Sequence, residues 1–281
     1  MLSEKSRRKF FVGLKRLLQL AMPRARDPKL LFIFGCQRSG TTLLSRIFER
    51  DWFAKSFREV SSINRDDEQY RIRLKALPEV KKIVEQRPAR LTVVKPLVES
   101  QRAIELLEFF PGSKALWIYR NYRDVAASNI TRFGLNNGID DVSQLLTAPR
   151  DNWRSEFVPQ DIYETLESYF SQSMNPYDAA VLFWYARNSL YFELGLHENP
   201  DVMLCRYESL VQSPELVVPA IYEFAQCPFP GPSIIRQIHS RSVQKGHSVE
   251  LTPRIVELAD GMLEQLNTQW NSASRMQDTP S

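Results

Sequence analysis

Residues 30–48 read Leu30-Leu31-Phe32-Ile33-Phe34-Gly35-Cys36-Gln37-Arg38-Ser39-Gly40-Thr41-Thr42-Leu43-Leu44-Ser45-Arg46-Ile47-Phe48. The first five are apolar without interruption, the mark of a strand buried on both faces, and a helix is predicted from Thr41 onward. Between them lies a turn bounded by Gly35 and Gly40, two of only ten glycines in the chain. Such a turn aims backbone N–H groups and a helix N-terminus at one point, which is how proteins hold a phosphate. The nucleotide-binding form of this pattern has a lysine directly after the second glycine. Here Thr41 stands in that place, and Arg38 supplies the cation from inside the loop.

Outward from this loop, short apolar runs alternate with longer amphipathic stretches. Residues 29–34, Leu91–Val94, 115–119 and 202–204 are predicted strands, and residues 41–50, 68–86, 101–109, 122–133, 176–194, 214–224 and 253–266 predicted helices. This alternation implies an α/β fold of three layers, α/β/α, with a central parallel sheet, right-handed crossovers and a ligand at the carboxyl ends of the strands. Residues 134–159, rich in Gly, Asn, Asp and Pro, are expected to be a mobile loop over the site. The strand 115–119 runs into Arg120, where magnesium-dependent phosphoryl transfer would want an Asp. The pattern suits a ligand with a single 5′-phosphate-like group, and no metal is expected.

The chain has 281 residues, 43% of them hydrophobic and 11% aromatic, which excludes a mainly disordered protein. Its net charge of +4 is unevenly spread: residues 1–26 hold eight basic side chains and one acid, leaving −3 for the other 255. Nucleic acid is therefore not an expected partner. Cys36, Cys205 and Cys227 are too few and too scattered for a disulfide framework or a metal cluster, so a reducing, cytoplasmic setting is expected. We read a basic amphipathic extension over residues 1–27 and a single domain over 28–281. In the extension Phe10, Phe11, Leu14, Leu17, Leu18 and Ala21 recur at helical spacing opposite Lys9, Lys15, Arg16 and Gln19. Residues 5–22 either pack on the domain or a second subunit, the favoured reading, or lie peripherally on anionic lipid. The stretch is too short and too charged to span a bilayer, and it lacks a signal-peptide cleavage site.

At this point the sequence resembles the sulfotransferases that use 3′-phosphoadenosine 5′-phosphosulfate (PAPS). Arg38-Ser39-Gly40-Thr41-Thr42 resembles their 5′-phosphosulfate loop. Arg120-Asn121-Tyr122-Arg123-Asp124-Val125-Ala126-Ala127-Ser128 resembles their 3′-phosphate motif; an Arg at a strand end and a Ser two helical turns on can converge on one phosphate. Arg206-Tyr207-Glu208-Ser209-Leu210-Val211 with Pro214 is similar to their strand-then-Tyr-Glu segment, which points to Tyr207 as a cofactor contact. Arg132 matches a contact of the tyrosylprotein branch. Ser240, Arg241, Ser242, Lys245 and Gly246 lie where the family closes a basic loop over the 3′-phosphate. The resemblance covers residues 30–266. It implies PAPS as the sulfuryl donor and a P-loop-like sulfotransferase fold.

Sulfuryl transfer needs a base for the acceptor's proton and cations or N–H groups on the leaving oxygen. The cytosolic branch carries a histidine after Lys-Thr in the strand that here reads Val93-Val94-Lys95-Pro96-Leu97; Leu97 stands in its place. His197, His239 and His247 sit in unrelated contexts and are expected at the surface. A carboxylate is then the candidate. Glu59, 21 residues after Arg38, resembles the catalytic glutamate of tyrosylprotein sulfotransferases, with Glu99 as its competitor. Lys95 is expected to assist Arg38 at the transferring group. The acceptor, whether carbohydrate, lipid or small metabolite, would be held by residues 61–86 and 134–176, and a bacterial-type enzyme is the natural setting. Two other readings stay open: a nucleotide kinase or NTPase on a related core, and a non-catalytic protein that keeps the PAPS-binding fold.

Overall fold

The computed structural model describes residues 13–15, 25–66, 72–86, 89–147 and 152–277. Five strands, β1 (Lys29–Gly35), β2 (Ala54–Phe57), β3 (Leu91–Val94), β4 (Lys114–Tyr119) and β5 (Val202–Arg206), form one parallel sheet in the order β2-β3-β1-β4-β5. The helices are α1 (Thr41–Arg50), α2 (Leu77–Glu85), α3 (Ala103–Phe109), α4 (Tyr122–Phe133), α5 (Asn137–Thr147), α6 (Gln160–Tyr169), α7 (Pro176–Glu193), α8 (Tyr207–Gln212), α9 (Pro214–Phe224) and α10 (Pro253–Gln277), with 3-10 turns at Leu97–Arg102 and Pro232–Ile234.

Alternation along the strands sends side chains to two cores. Leu31 and Ile33 of β1 join Leu116, Ile118 and Cys205 on the face covered by α1 and α9. Phe32 and Phe34 join Trp117, Tyr119 and Leu204 on the face covered by α4, α7 and α10. Each fully buried large apolar side chain contributes about 2–3 kcal/mol. Register aligns the strand exits: Phe32 pairs with Val94, Gly35 with Ile118, Phe57 with Val94, and Tyr119 with Arg206. The loop over residues 35–42, Glu59, Lys95, Arg120 and Tyr207 therefore all follow the carboxyl ends of the strands.

Several elements differ from expectation. The strand β2 was not predicted: Ala54-Lys55-Ser56-Phe57 is four residues long and half polar, as suits an edge strand that resists pairing with another chain. The helix expected over 68–86 begins only at Leu77, since residues 72–76 are non-helical and 67–71 lie outside the described residues. Residues 134–159 are not a structureless loop, for α5 occupies Asn137–Thr147 with Asp141, Val142 and Leu145 buried. Gly138, which reads as a breaker, is there for contact: a Cβ on it would lie 2.6 Å from the Ala180 nitrogen of α7. The short helix α8 and the helix α6 were also missed, and α10 runs to Gln277 rather than 266.

The predicted extension helix lies outside the described residues except for Gly13 to Lys15, which are helical. Lys15, expected on a solvated face, is buried, and its Nζ donates to the carbonyls of Glu49 at 2.8 Å and Phe48 at 3.4 Å at the end of α1. A cation there complements the helix dipole. Burial nonetheless pushes its ammonium down to about 8, against the upward pull of Asp51 and Glu49.

Candidate active site

The loop from Gly35 to α1 is held open by backbone that only special residues tolerate. Gly40, the N-cap of α1, has φ 103°, and a Cβ there would lie 2.3 Å from the Tyr207 ring. Arg38 also has positive φ, at 68°. Strain of this kind collects where a loop must present N–H groups and a side chain together. Arg38 Nε donates to Ser128 Oγ at 3.0 Å, and its guanidinium carbon lies 5.9 Å from the Phe133 ring. Burial, then Arg132 and Arg120, lower the Arg38 pKa below its ordinary value. Three predicted cations thus share one electropositive region.

Arg120, the first residue past β4, is almost wholly buried. It donates to the carbonyl of Arg38 at 3.3 Å and to that of Ser242, pairs with Asp124 at 3.2 Å, and stacks over Tyr207 with its guanidinium carbon 4.5 Å from the ring centre. The Tyr207 hydroxyl bonds Ser242 Oγ at 2.5 Å. Arg38 bridges Ser128 and Arg120, donating to the first and accepting from the second. Lys245 is exposed on the 242–247 segment, and Arg132 is exposed at the end of α4.

Asp124 is the residue that sequence reasoning overlooked. It accepts from the backbone N–H of Gln244 at 2.9 Å and of Gly246 at 2.7 Å, fixing the 242–247 segment as a strap beside Arg120. Its signal was its place in the first turn of α4, four residues after Arg120. Against the strap lies a cavity of about 310 Å³ lined by Asp124, Gln244 and Gly246 together with Arg123, Arg206 and Glu208 among others.

The other half of the site is a buried pair. Lys95, the first residue past β3, is no solvated strand end: its side chain is fully buried, with Nζ donating to Thr42 Oγ1 at 2.8 Å and lying 2.5 Å from Glu59 Oε1. Burial lowers the Lys95 pKa, and Glu59 pulls it partly back. Glu59 itself is about a quarter exposed. Glu99 is in a different state. It is fully buried and accepts from Arg73 Nε at 2.8 Å, Arg73 Nη2 at 3.1 Å, Arg102 at 3.1 Å and the Leu74 N–H at 2.9 Å. All its oxygens face the protein, which makes it a structural hub.

Two buried polar atoms in this region have no hydrogen-bond partner, Ser39 Oγ in the loop and Arg120 Nε beside the strap. Leaving such donors unmet costs about 1–3 kcal/mol each. The family profile described as "Sulfotransferase domain" matches residues 28–255, spanning every element just described from β1 into α10. The chain belongs to the sulfotransferase family. Sulfuryl transfer is the activity this membership assigns to it. No curated protein sequence matches it significantly. Among solved structures, the sulfotransferase domain from the curacin biosynthetic pathway aligns at 16% identity with a TM-score of 0.53, over 86% of this chain and 99% of that one. A sulfotransferase from Alicyclobacillus acidocaldarius aligns at 14% identity and 0.49, over 89% and 96%. A mouse sulfotransferase complexed with PAP aligns at 15% identity and 0.46, over 96% of each chain. At such identities the likeness shows the fold, and the first superposition carries it. Among the described residues of this sulfotransferase, no group of three or more His, Cys, Asp or Glu is placed to hold a metal ion, and no helix is long and apolar enough to cross a membrane.

Proposed function

We propose that this sulfotransferase takes its sulfuryl group from PAPS and passes it to a hydroxyl acceptor, with Glu59 as the general base. The observation that carries this reading is the meeting of Glu59, Lys95 and Thr42 at one edge of the sheet, beside a loop that carries Arg38. PAPS supplies an activated sulfuryl group on a phosphate leaving group. Arg38, the loop N–H groups and the Ser39 hydroxyl would hold its 5′ end, with Gly40, Thr41 and Thr42 opening the helix behind them. Arg120, Ser128, Tyr207 and Ser242 would hold the 3′-phosphate, with Lys245 and Arg132 adding positive charge at the rim.

Glu59 accepts a proton from the acceptor hydroxyl, and its ion pair with Lys95 holds the carboxylate in position for that task. Lys95 and Arg38 stabilise negative charge that builds on the leaving oxygen. The buried position of Lys95 strengthens that effect, because its charge is little screened by water. We place the protein in the cytoplasm, on the strength of its three buried free thiols.

The test is transfer of label from ³⁵S-PAPS to lysate fractions sorted into glycan, lipid and small-metabolite pools. Label is expected to accumulate in one pool in proportion to enzyme. Tight PAP binding with no labelled product in any pool would favour a non-catalytic binding protein.

A further inference from the structure

The cavity against the strap, about 310 Å³ in volume, is large enough for one small organic molecule. Glu59, Lys95, Arg38, Arg120, Ser128 and Tyr207 do not line it. Its walls come from the start of α4, the junction of β5 with α8, the strap and α10, which contribute Arg123, Arg206, His247 and Asn267 in that order. The strap closes directly on α4, since a Cβ on Gly246 would lie 2.2 Å from the carbonyl carbon of Arg123.

The two carboxylates of the cavity are already committed. Asp124 accepts from the Gln244 and Gly246 N–H groups and pairs with Arg120, which lies outside the walls. Glu208 accepts from the Asn121 N–H at 3.0 Å through Oε1. The donors are less fully used. Arg206 reaches Glu208 Oε2 at 3.6 Å, past hydrogen-bond length, and its side chain is 39% exposed. Asn267 accepts from the Tyr119 hydroxyl at 3.0 Å through Oδ1, so its NH2 group is what remains to offer a ligand. Arg123 has one nitrogen, Nη1, on the Val249 carbonyl at 2.8 Å, and a guanidinium carries donors on two more. With Asp124 neutralised by Arg120, the walls hold an excess of positive charge and of hydrogen-bond donors.

We propose that this cavity is a second ligand site, which takes a small organic anion bearing carboxylate or phosphate groups and tightens the strap over the cofactor. The oxyanion meets Arg206 and Arg123, and the carbon skeleton lies toward Val243 and Leu263. The coupling runs through Asp124, whose carboxylate holds the strap N–H groups at the cavity and Arg120 at the cofactor site. Arg120 in turn donates to the Ser242 carbonyl, and Ser242 Oγ bonds the Tyr207 hydroxyl. A ligand bonded to the strap on one wall and to Arg206 on another favours this arrangement, and linkage requires PAP to tighten the ligand equally. The coupling rests on the PAPS assignment above; the site itself does not.

The experiment is calorimetric titration of citrate and of glycerol 3-phosphate into the chain saturated with PAP, with xylitol as a neutral comparator. At least one anion is expected to bind with a Kd of about 1 mM or below, xylitol not at all, and the bound anion should lower the PAP Kd about fivefold or more. Arg206→Met removes the charge and should weaken anion binding about tenfold. Leu263→Trp fills the cavity from α10 and should abolish it. Both variants should bind PAP alone as the wild type does and lose the coupling. An ion pair as long and exposed as that of Arg206 adds little to stability, so Arg206→Met should melt with the wild type. Binding of neither anion to the PAP-saturated chain, equal binding of xylitol, binding that both variants leave unchanged, or an unaltered PAP affinity would overturn the proposal. So would binding only in the absence of PAP, because the anion would then occupy the cofactor site. If PAP itself does not bind, the PAPS assignment and the coupling both fail, while the anion titrations of wild type against the two variants still decide the site.

Discussion

Replacing Glu59 by Gln is expected to lower kcat about a thousandfold while PAP affinity stays within a few-fold of wild type. General-base catalysis by a positioned side chain contributes about 10²–10⁴-fold. The amide keeps the size of the carboxylate but cannot take a proton. Glu59 is partly exposed, the Gln amide oxygen can still accept from Lys95, and Lys95 keeps its bond to Thr42, so the variant should fold. The matched control is Glu99→Gln. That substitution disturbs a fully buried carboxylate bound by Arg73, Arg102 and a backbone N–H, and should cost about 3–5 kcal/mol of stability. Steady-state kinetics and thermal melts on both variants separate the roles. Near-normal kcat in Glu59→Gln, with lost turnover in a folded Glu99→Gln, would move the base to Glu99.

Arg120→Ala is expected to weaken PAP binding about 100-fold and to erase most of the preference for PAP over 5′-AMP. A buried guanidinium that fixes a phosphate is a charge-assisted, geometrically specific contact. Its Nε is unpartnered, and the atoms around it, the carbonyls of Arg38 and Ser242, orient its fork rather than replace a ligand. The strap should survive, because Asp124 still accepts from the Gln244 and Gly246 N–H groups. Arg120→Lys should recover only part of the affinity, since an ammonium keeps the charge and loses the fork. Calorimetric titration of PAP and 5′-AMP reads both effects. Equal losses for the two nucleotides would mean that Arg120 does not face the 3′-phosphate.

What the sequence made legible follows from which physical signals are local. The strand β1, the loop to Thr42 and the strand-end positions of Lys95 and Arg120 were readable because uninterrupted apolar runs and glycine-bounded turns act over a few residues. The strand β2 was not, since a four-residue edge strand with Lys55 and Ser56 carries almost no apolar signal. The helix α5 was hidden by Gly138 and by Asp140-Asp141. One is small to admit α7, and Asp141 is buried to hold Gln37 and Arg154. The different surroundings of Glu59 and Glu99 come from partners far away in sequence: Lys95 for the first, Arg73 for the second. The tie between Asp124 and the strap spans more than a hundred residues, and only the folded chain brings the two together.

The donor assignment is central, and one comparison tests it most directly: the affinity of the wild-type chain for PAP against its affinity for ATP with magnesium, measured by calorimetry under the same conditions. PAP is expected to bind at least 100-fold more tightly, because the loop has Thr41 where the ATP-binding pattern has lysine and because the proposed function gives Arg120 and Ser128 to a 3′-phosphate. Tighter binding of ATP with magnesium, together with no measurable binding of PAP, would contradict the account.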